Sequence, residues 1–382
     1  MSEEELHEVQ GGRILCIHQG ALGDFILALP AIRALREHLQ PTWLEIMGHP
    51  WILPLVSGPP YADAVTDINR AQMALLFQEE TALPEALQAY LGAFDAAFYF
   101  GISKTLVHNL RQRGSRRGSR GGIRKTFILP PFPAQQQHLV DHHLSSLEKL
   151  GISAPSSTPD LFLRDEAKEE AKAFFRERCW GLDEIIALHP GAGGRTKVWP
   201  PQRFAALGKA LARGSKKLLI IQGPADEEAV HEVVAGLAGT PHLVVNNVPI
   251  TQLAALLSHA SLFVGNDSGV SHLAAALGVL TLALFGPTDP AVWAPRGDRA
   301  FYLKKGGSID TIEVADMFTF LQERKQFPLT PAAAEGKSID MPTPTCSHKG
   351  AINTTKEGLR WKRSGSERCL TTLPRSASSP SG

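Results

Sequence analysis

The feature that most constrains this chain is a pattern repeated along it: a short apolar run ending in glycine, then an amphipathic helix. "GRILCIHQG" precedes "ALGDFILALPAIRALREHL", "IIALHPG" precedes "PQRFAALGKALARG", "KLLIIQG" precedes "DEEAVHEVVAGL", and "SLFVGND" precedes "GVSHLAAALG". Apolar runs without alternation are strands buried on both faces. Helices between them require parallel pairing, so the fold class is α/β. "WLEIMGHP", "AAFYFG", "HLVVN" and "LTLALFGP" read as further strands, and "QHLVDHHLSSLEKLGI" as a helix closed by Gly151. Pro30 predicts that its helix begins or kinks near that residue. The Ser- and Pro-rich segment 153–160 interrupts the alternation, which then restarts. Two domains follow, 12–155 and 160–326, with a cleft between them. Beyond 326 the periodicity stops, and 327–382 reads as a disordered tail.

The 382 residues carry 39 Lys or Arg against 38 Asp or Glu, a net charge of +1. No global attraction to nucleic acid or membrane is implied, so any charge effect is local. One local excess stands out: Lys104 to Lys125 holds eight Lys or Arg and no acid. It reads as a solvated loop, or as a patch for an acidic substrate or membrane surface. No aromatics are interleaved, so RNA-type stacking is unsupported. Of the four cysteines, no two have C-x-x-C spacing. Cys16 and Cys179 read as reduced core or near-core thiols, which suits a cytoplasmic setting. The acidic start "MSEEELHEVQGG" is unlike a secretory signal, and no apolar run approaches about 20 residues.

Three loops carry candidate chemistry. In "VGNDSGVSH", a strand ends at Asn266 and a helix starts near Ser268 and Gly269. Free N–H groups and the positive dipole end make such a start an anion site. Asp267 suits sugar hydroxyls, and His272 lies one turn on; the alternative is that Asp267 or Ser268 is only a helix cap. "FGPTDP" is a second glycine turn after the next strand. In "HPGAGGRTKVWP", glycines precede Arg195 and Lys197 without a nucleotide P-loop spacing. Lys197 can neutralise a diphosphate, or the loop is merely solvated. In "QGPADEEAV", Glu227 and Glu228 either stabilise a helix start or accept a ribose diol. His138, Asp141 and His142 have metal-ligand spacing, although with His143 they read better as an ordinary exposed helix face. The turn at Gly20–Gly23 is the puzzle, because a turn suited to an anion carries its own anion, Asp24.

Together these motifs resemble the bacterial lipopolysaccharide heptosyltransferases, glycosyltransferase family 9. The resemblance covers residues 12 to about 325 through "GALGDFILALPAIRALR", "HPGAGGRTKVWP", "GPADEEAV" and "VGNDSGVSHLAAALGVLTLALFGPTDP", with support from "HLVDHHLSSLEKLGI". It implies a GT-B fold, two Rossmann-like domains facing across a cleft. It also implies inverting transfer of heptose from an ADP-sugar to the lipopolysaccharide inner core, with no metal and no cofactor. In that frame Asp24 matches the general base. Lys197, Glu227, Asp267, Ser268, Gly269 and His272 match the donor site. Gly23 and the basic residues Arg117 and Arg120 suit a phosphorylated acceptor, with Arg33 and Arg36 assisting. The implied partners are the donor, the lipopolysaccharide acceptor and the inner face of the inner membrane, with no nucleic acid. Ala192 and Gly193 depart from the family's hydroxyl-bearing loop, which leaves backbone N–H groups to substitute. The rival readings are another GT-B enzyme, such as a transferase for a different sugar or a nucleotide-sugar epimerase, and a non-catalytic sugar-nucleotide or glycolipid binder. A dehydrogenase is disfavoured, since "HQGALGD" is not G-x-G-x-x-G.

Overall fold

The computed structural model describes residues 6–79, 82–111, 122–182, 185–212 and 216–323. Two sheets organise them. The first contains β1 (Arg13–His18), β2 (Trp43–Gly48), β3 (Ala64–Asp67), β4 (Ala96–Phe100) and β5 (Lys125–Leu129), in the order β3-β2-β1-β4-β5. The second contains β6 (Ile185–His189), β7 (Lys217–Gln222), β8 (His242–Asn246), β9 (Leu262–Asn266), β10 (Thr281–Phe285) and β11 (Ala300–Lys304), in the order β11-β10-β9-β6-β7-β8. All strand pairs are parallel. In each sheet the chain builds to one side of its first strand, then crosses to the other. The strand order therefore reverses between β1 and β4 and between β6 and β9, and ligand crevices form at the carboxyl ends of such pairs.

The helices longer than four residues are α1 (Leu22–Leu39), α2 (Glu85–Leu91), α3 (Lys104–Leu110), α4 (Leu139–Glu148), α5 (Asp165–Arg176), α6 (Pro201–Leu211), α7 (Glu227–Gly236), α8 (Ile250–Leu257), α9 (Gly269–Ala276) and α10 (Val314–Glu323). α1 packs on α4 and on α9, so it joins the two halves, and α8 packs on α5. One apolar core runs through both halves, from Ile14 and Leu35 to Ala187 and Leu273. Side chains also bridge them: Arg296 forms a bidentate pair with Asp141, Gln136 donates to Asp289 at 2.6 Å, and His138 Nε2 meets the Ala294 carbonyl at 2.9 Å.

Several expectations need correction. α1 begins at Leu22, not at Pro30, which sits inside it. A proline there costs about 3 kcal/mol, but an unbroken buried run from Phe25 to Ile32 offsets it. β3, β5 and β11 had no strand signal. They lie at sheet edges, where burial is partial and the apolar run is broken. The basic stretch is not one loop: Lys104 opens α3, and Lys125 starts β5 and pairs with Glu8 at 3.3 Å. Arg33 pairs with Glu37 and Arg36 with Asp63, both at short range within their own half. Cys16 is buried as expected, whereas Cys179 is exposed, in a left-handed turn just past α5. The helix face bearing His138 to His143 is also not an ordinary exposed one. His138 caps α4 with its own ring, Asp141 takes Arg296, and His143 is buried. Among the described residues, no three His, Cys, Asp or Glu side chains gather as metal ligands would, and no helix is long and apolar enough to cross a membrane.

Candidate active site

The site forms where two helix starts meet. α1 follows β1 and α9 follows β9, and both begin at the crevice between the halves. A Cβ on Gly23 would lie 2.9 Å from the His272 ring, and one on Gly269 only 2.8 Å from Leu22 Cβ. Glycine at both positions is what lets the two helices approach. At neither start does the side chain of the N-cap residue, Ala21 or Ser268, cap the helix. The cap reading of Ser268 is thereby set aside: its Oγ bonds His189 Nδ1 at 3.1 Å instead. Each helix start carries about half a positive charge, so bringing two together is unfavourable until negative charge is placed there. A carboxylate and a diphosphate both meet that need, which accounts for Asp24 in an anion-binding turn.

Asp24 Oδ2 accepts the Ala21 N–H at 3.2 Å. Burial raises its pKa above the ordinary carboxylate range, and the Asp267 charge adds to the rise; the Ala21 bond and the Lys197 charge oppose it. A half-buried carboxylate with a raised pKa is a stronger proton acceptor than an exposed one. Across the crevice Lys197, in a single 3-10 turn after β6, pairs with Asp267 Oδ2 at 2.7 Å. Asp267 is buried, while about a third of the Lys197 side chain remains exposed. The lysine thus has a fixed anchor and an open side toward solvent. Asn266 holds this loop in place: it accepts from Trp199 N and donates to the carbonyls of Pro190 and Gly191.

His189 and Asp226 were not singled out in the sequence, yet they form the floor. His189 ends β6 at the switch point, and its Nε2 meets Asp226 Oδ2 at 3.0 Å. Burial pushes the Asp226 carboxyl up, but the His189 hydrogen bond and charge and the Gly223 N–H outweigh it and hold the pKa low. Gly191 is required here, since a Cβ would collide with the Asp226 carboxyl at 1.9 Å. The one signal available in sequence was a histidine closing a buried strand before a glycine loop. Asp226 was indistinguishable from the acids beside it.

A cavity of about 860 Å³ runs from this floor along the second sheet, lined by Gly23, His189, Gly193, Asp226, Ser268 and Gly269 among others. Asp24, Lys197 and Asp267 adjoin that lining through Gly23 and Ser268. Glu227 does not line the main cavity but lies at its rim, in a shallow adjoining pocket with Glu228 and His231 that shares Pro224 and Ala225 with it. Arg117 and Arg120 lie outside the described residues.

His272 is fully buried beside Gly23, with no hydrogen-bond partner for Nδ1. Burial lowers its pKa to about 4, and burial likewise lowers His18 and His143 to about 3. Unfolded histidines titrate near 6.5, so below that pH the unfolded chain binds more protons than the native one. Stability is therefore fully present above about pH 6.5 and falls as the pH drops toward 4, by up to about 1.4 kcal/mol per pH unit for each histidine. Thermal melts across that range should show the decline, and His143→Phe should flatten it.

The sequence profile of glycosyltransferase family 9 (heptosyltransferase) matches residues 96–308. The chain belongs to glycosyltransferase family 9. Its match spans β4 to β11 and includes Lys197, Asp267 and His272, while Asp24 lies before it. Among relatives of this family-9 chain, lipopolysaccharide heptosyltransferase 3 of Escherichia coli (strain K12) is 24% identical over 294 residues, covering 72% of this chain and 82% of the relative. Lipooligosaccharide heptosyltransferase 2 of Campylobacter jejuni is 25% identical over 276 residues, covering 70% and 78%. The solved glycosyl transferase family 9 protein of Veillonella parvula superposes with a TM-score of 0.67 at 20% identity, over 83% of this chain and 97% of that one. E. coli heptosyltransferase WaaC with ADP gives 0.60 at 21%, over 81% and 99%. The fold is GT-B, and the protein is a glycosyltransferase.

Proposed function

We propose that this glycosyltransferase moves a heptose, or a closely related sugar, from an ADP-sugar to the inner core of lipopolysaccharide, with inversion at the anomeric carbon. The observation that carries this reading is the juxtaposition at the two helix starts: a half-buried carboxylate on one half, a lysine-bearing phosphate cradle on the other. The relatives' names and a structural neighbour solved with ADP support the choice of sugar and nucleotide.

In this reading the acceptor hydroxyl approaches past Gly23, and Asp24 takes its proton as the new bond to the anomeric carbon forms. The bond from that carbon to the diphosphate oxygen breaks, and ADP leaves with the electron pair. Positive charge builds on the sugar ring in between, and the carboxylate charge favours it. Lys197 and the α9 start receive the negative charge of the leaving diphosphate. Asp267 grips sugar hydroxyls while anchoring Lys197, and His272, neutral at pH 7, backs the turn at Gly23. Glu227 reaches the ribose from the rim. The acceptor is a lipid, so the enzyme works at the inner membrane surface, where Arg117 and Arg120 suit its phosphates.

Thermal shift with a nucleotide-sugar panel checks the donor, because a ligand stabilises according to its concentration over its dissociation constant. ADP-sugars should shift the melt most; a shift with UDP- or GDP-sugars alone contradicts the heptose reading. The pH profile of kcat adds a second check. Asp24 works ionised and its pKa is raised, so activity should fall on the acid side at a pH above the ordinary carboxylate range.

A further inference from the structure

We propose that Trp51, carried by the half that holds Asp24, stacks on the nucleobase of the nucleoside diphosphate held by the other half. This rests on the nucleotide-sugar reading of the cleft. The cavity has two chemically different ends. His189, Ser268 and Gly269 form the polar end, where phosphates are met. The other end is walled by Val245, Val248, Pro249, Ile250 and Leu253, with Asn247 and Thr251 as polar edges. A sugar there would press its hydroxyls against aliphatic carbons, whereas a flat base buries its faces and offers its rim to the two polar side chains.

Trp51 lines the same cavity from the other half, just before a turn that packs on the helix bearing Ile250 and Leu253, and is 52% exposed, although tryptophan is usually well buried. Its backbone is nonetheless fixed. The His49 carbonyl accepts from Ile52 and Leu53, at 3.0 and 3.2 Å, and His49 Nε2 meets the Gln19 carbonyl at 2.9 Å. Ile52 and Leu53 are buried, and the turn Leu53–Leu55 packs on α8. The ring is thus an open face on a held loop, a preorganised platform for stacking. Because the base lies between the two halves, donor binding would also draw the Asp24 half onto the donor half.

Calorimetric titration of ADP, UDP and pyrophosphate into the wild type, Trp51→Ala and Trp51→Phe tests this. Trp51→Ala should weaken ADP about tenfold, within the range of base–aromatic stacking, UDP less, and pyrophosphate not at all. Trp51→Phe should recover most of the loss, which excludes a folding defect. ADP bound equally by wild type and Trp51→Ala overturns the stacking and leaves the nucleotide site standing. So does an equal loss for pyrophosphate, or an effect confined to the KM of the acceptor. A wild type that binds no ADP overturns both.

Discussion

Asp24→Asn should lower kcat by about 10² to 10⁴-fold, the usual contribution of a positioned general base, while ADP binds within about threefold of the wild type. The substitution is isosteric, and an amide oxygen can still accept the Ala21 N–H that Asp24 Oδ2 accepts now. The start of α1 should therefore survive. Burial disfavours the ionised form of this carboxyl, while its charge offsets the two helix starts, so the two effects oppose and the melting temperature should change little near neutral pH. Such a split, with turnover lost and stability kept, is common where a site holds a charge that the fold alone would not keep. Steady-state rates with calorimetry of ADP read it directly. Near-normal turnover would remove the base from Asp24. Joint loss of turnover and ADP affinity would instead mean that the site had been deformed.

Lys197→Ala should produce the second large loss, about 10² to 10³-fold in kcat/KM, comparable to removing one preorganised charge from a transition state. Here ADP affinity should fall as well, because the lysine meets the diphosphate in both donor and product. The variant also strips the buried Asp267 of its ion-pair partner at 2.7 Å, and an uncompensated buried charge is costly. Asp267→Asn in the same chain should recover melting temperature without recovering activity. Unchanged ADP binding in Lys197→Ala would contradict the phosphate role. The two variants together separate the halves of the cleft: one loses chemistry with the nucleotide still bound, the other loses the nucleotide too.

The sheets were legible because their central strands are buried on both faces. "RILCIH", "IIALH" and "LFVGN" are apolar runs with no competing reading, and each ends at the crevice. Of the edge strands only "HLVVN" of β8 was read; "AFYLK" in β11, for one, is partly exposed along its whole length and mixes its signal. Asp24, Lys197, Asp267, Ser268 and Gly269 were each visible as a residue type at a strand-to-helix turn or in a glycine loop, and His272 as a residue one helical turn on. What the one-dimensional pattern lacked was direction. Asp226 and Glu227 are neighbours, yet the first turns back to His189 and the Gly223 N–H while the second faces the rim. The same limit hid His143, which is buried against the ring of Phe100 of β4, far away in sequence. Trp51 shows the converse: its apolar side chain suggested nothing, and its sharing of one cavity with the Val245–Leu253 wall is a property of the assembled cleft.

The central claim is that an acceptor hydroxyl, activated from one half, displaces a nucleoside diphosphate held by the other. The most direct test is incubation with ADP-heptose and an inner-core acceptor lacking the heptose, following ADP release and determining the new anomeric linkage by NMR. ADP release that requires the acceptor, with the anomeric configuration inverted relative to the donor, is the expected result. ADP release that proceeds equally without acceptor, or a linkage that retains the donor's configuration, would contradict the account.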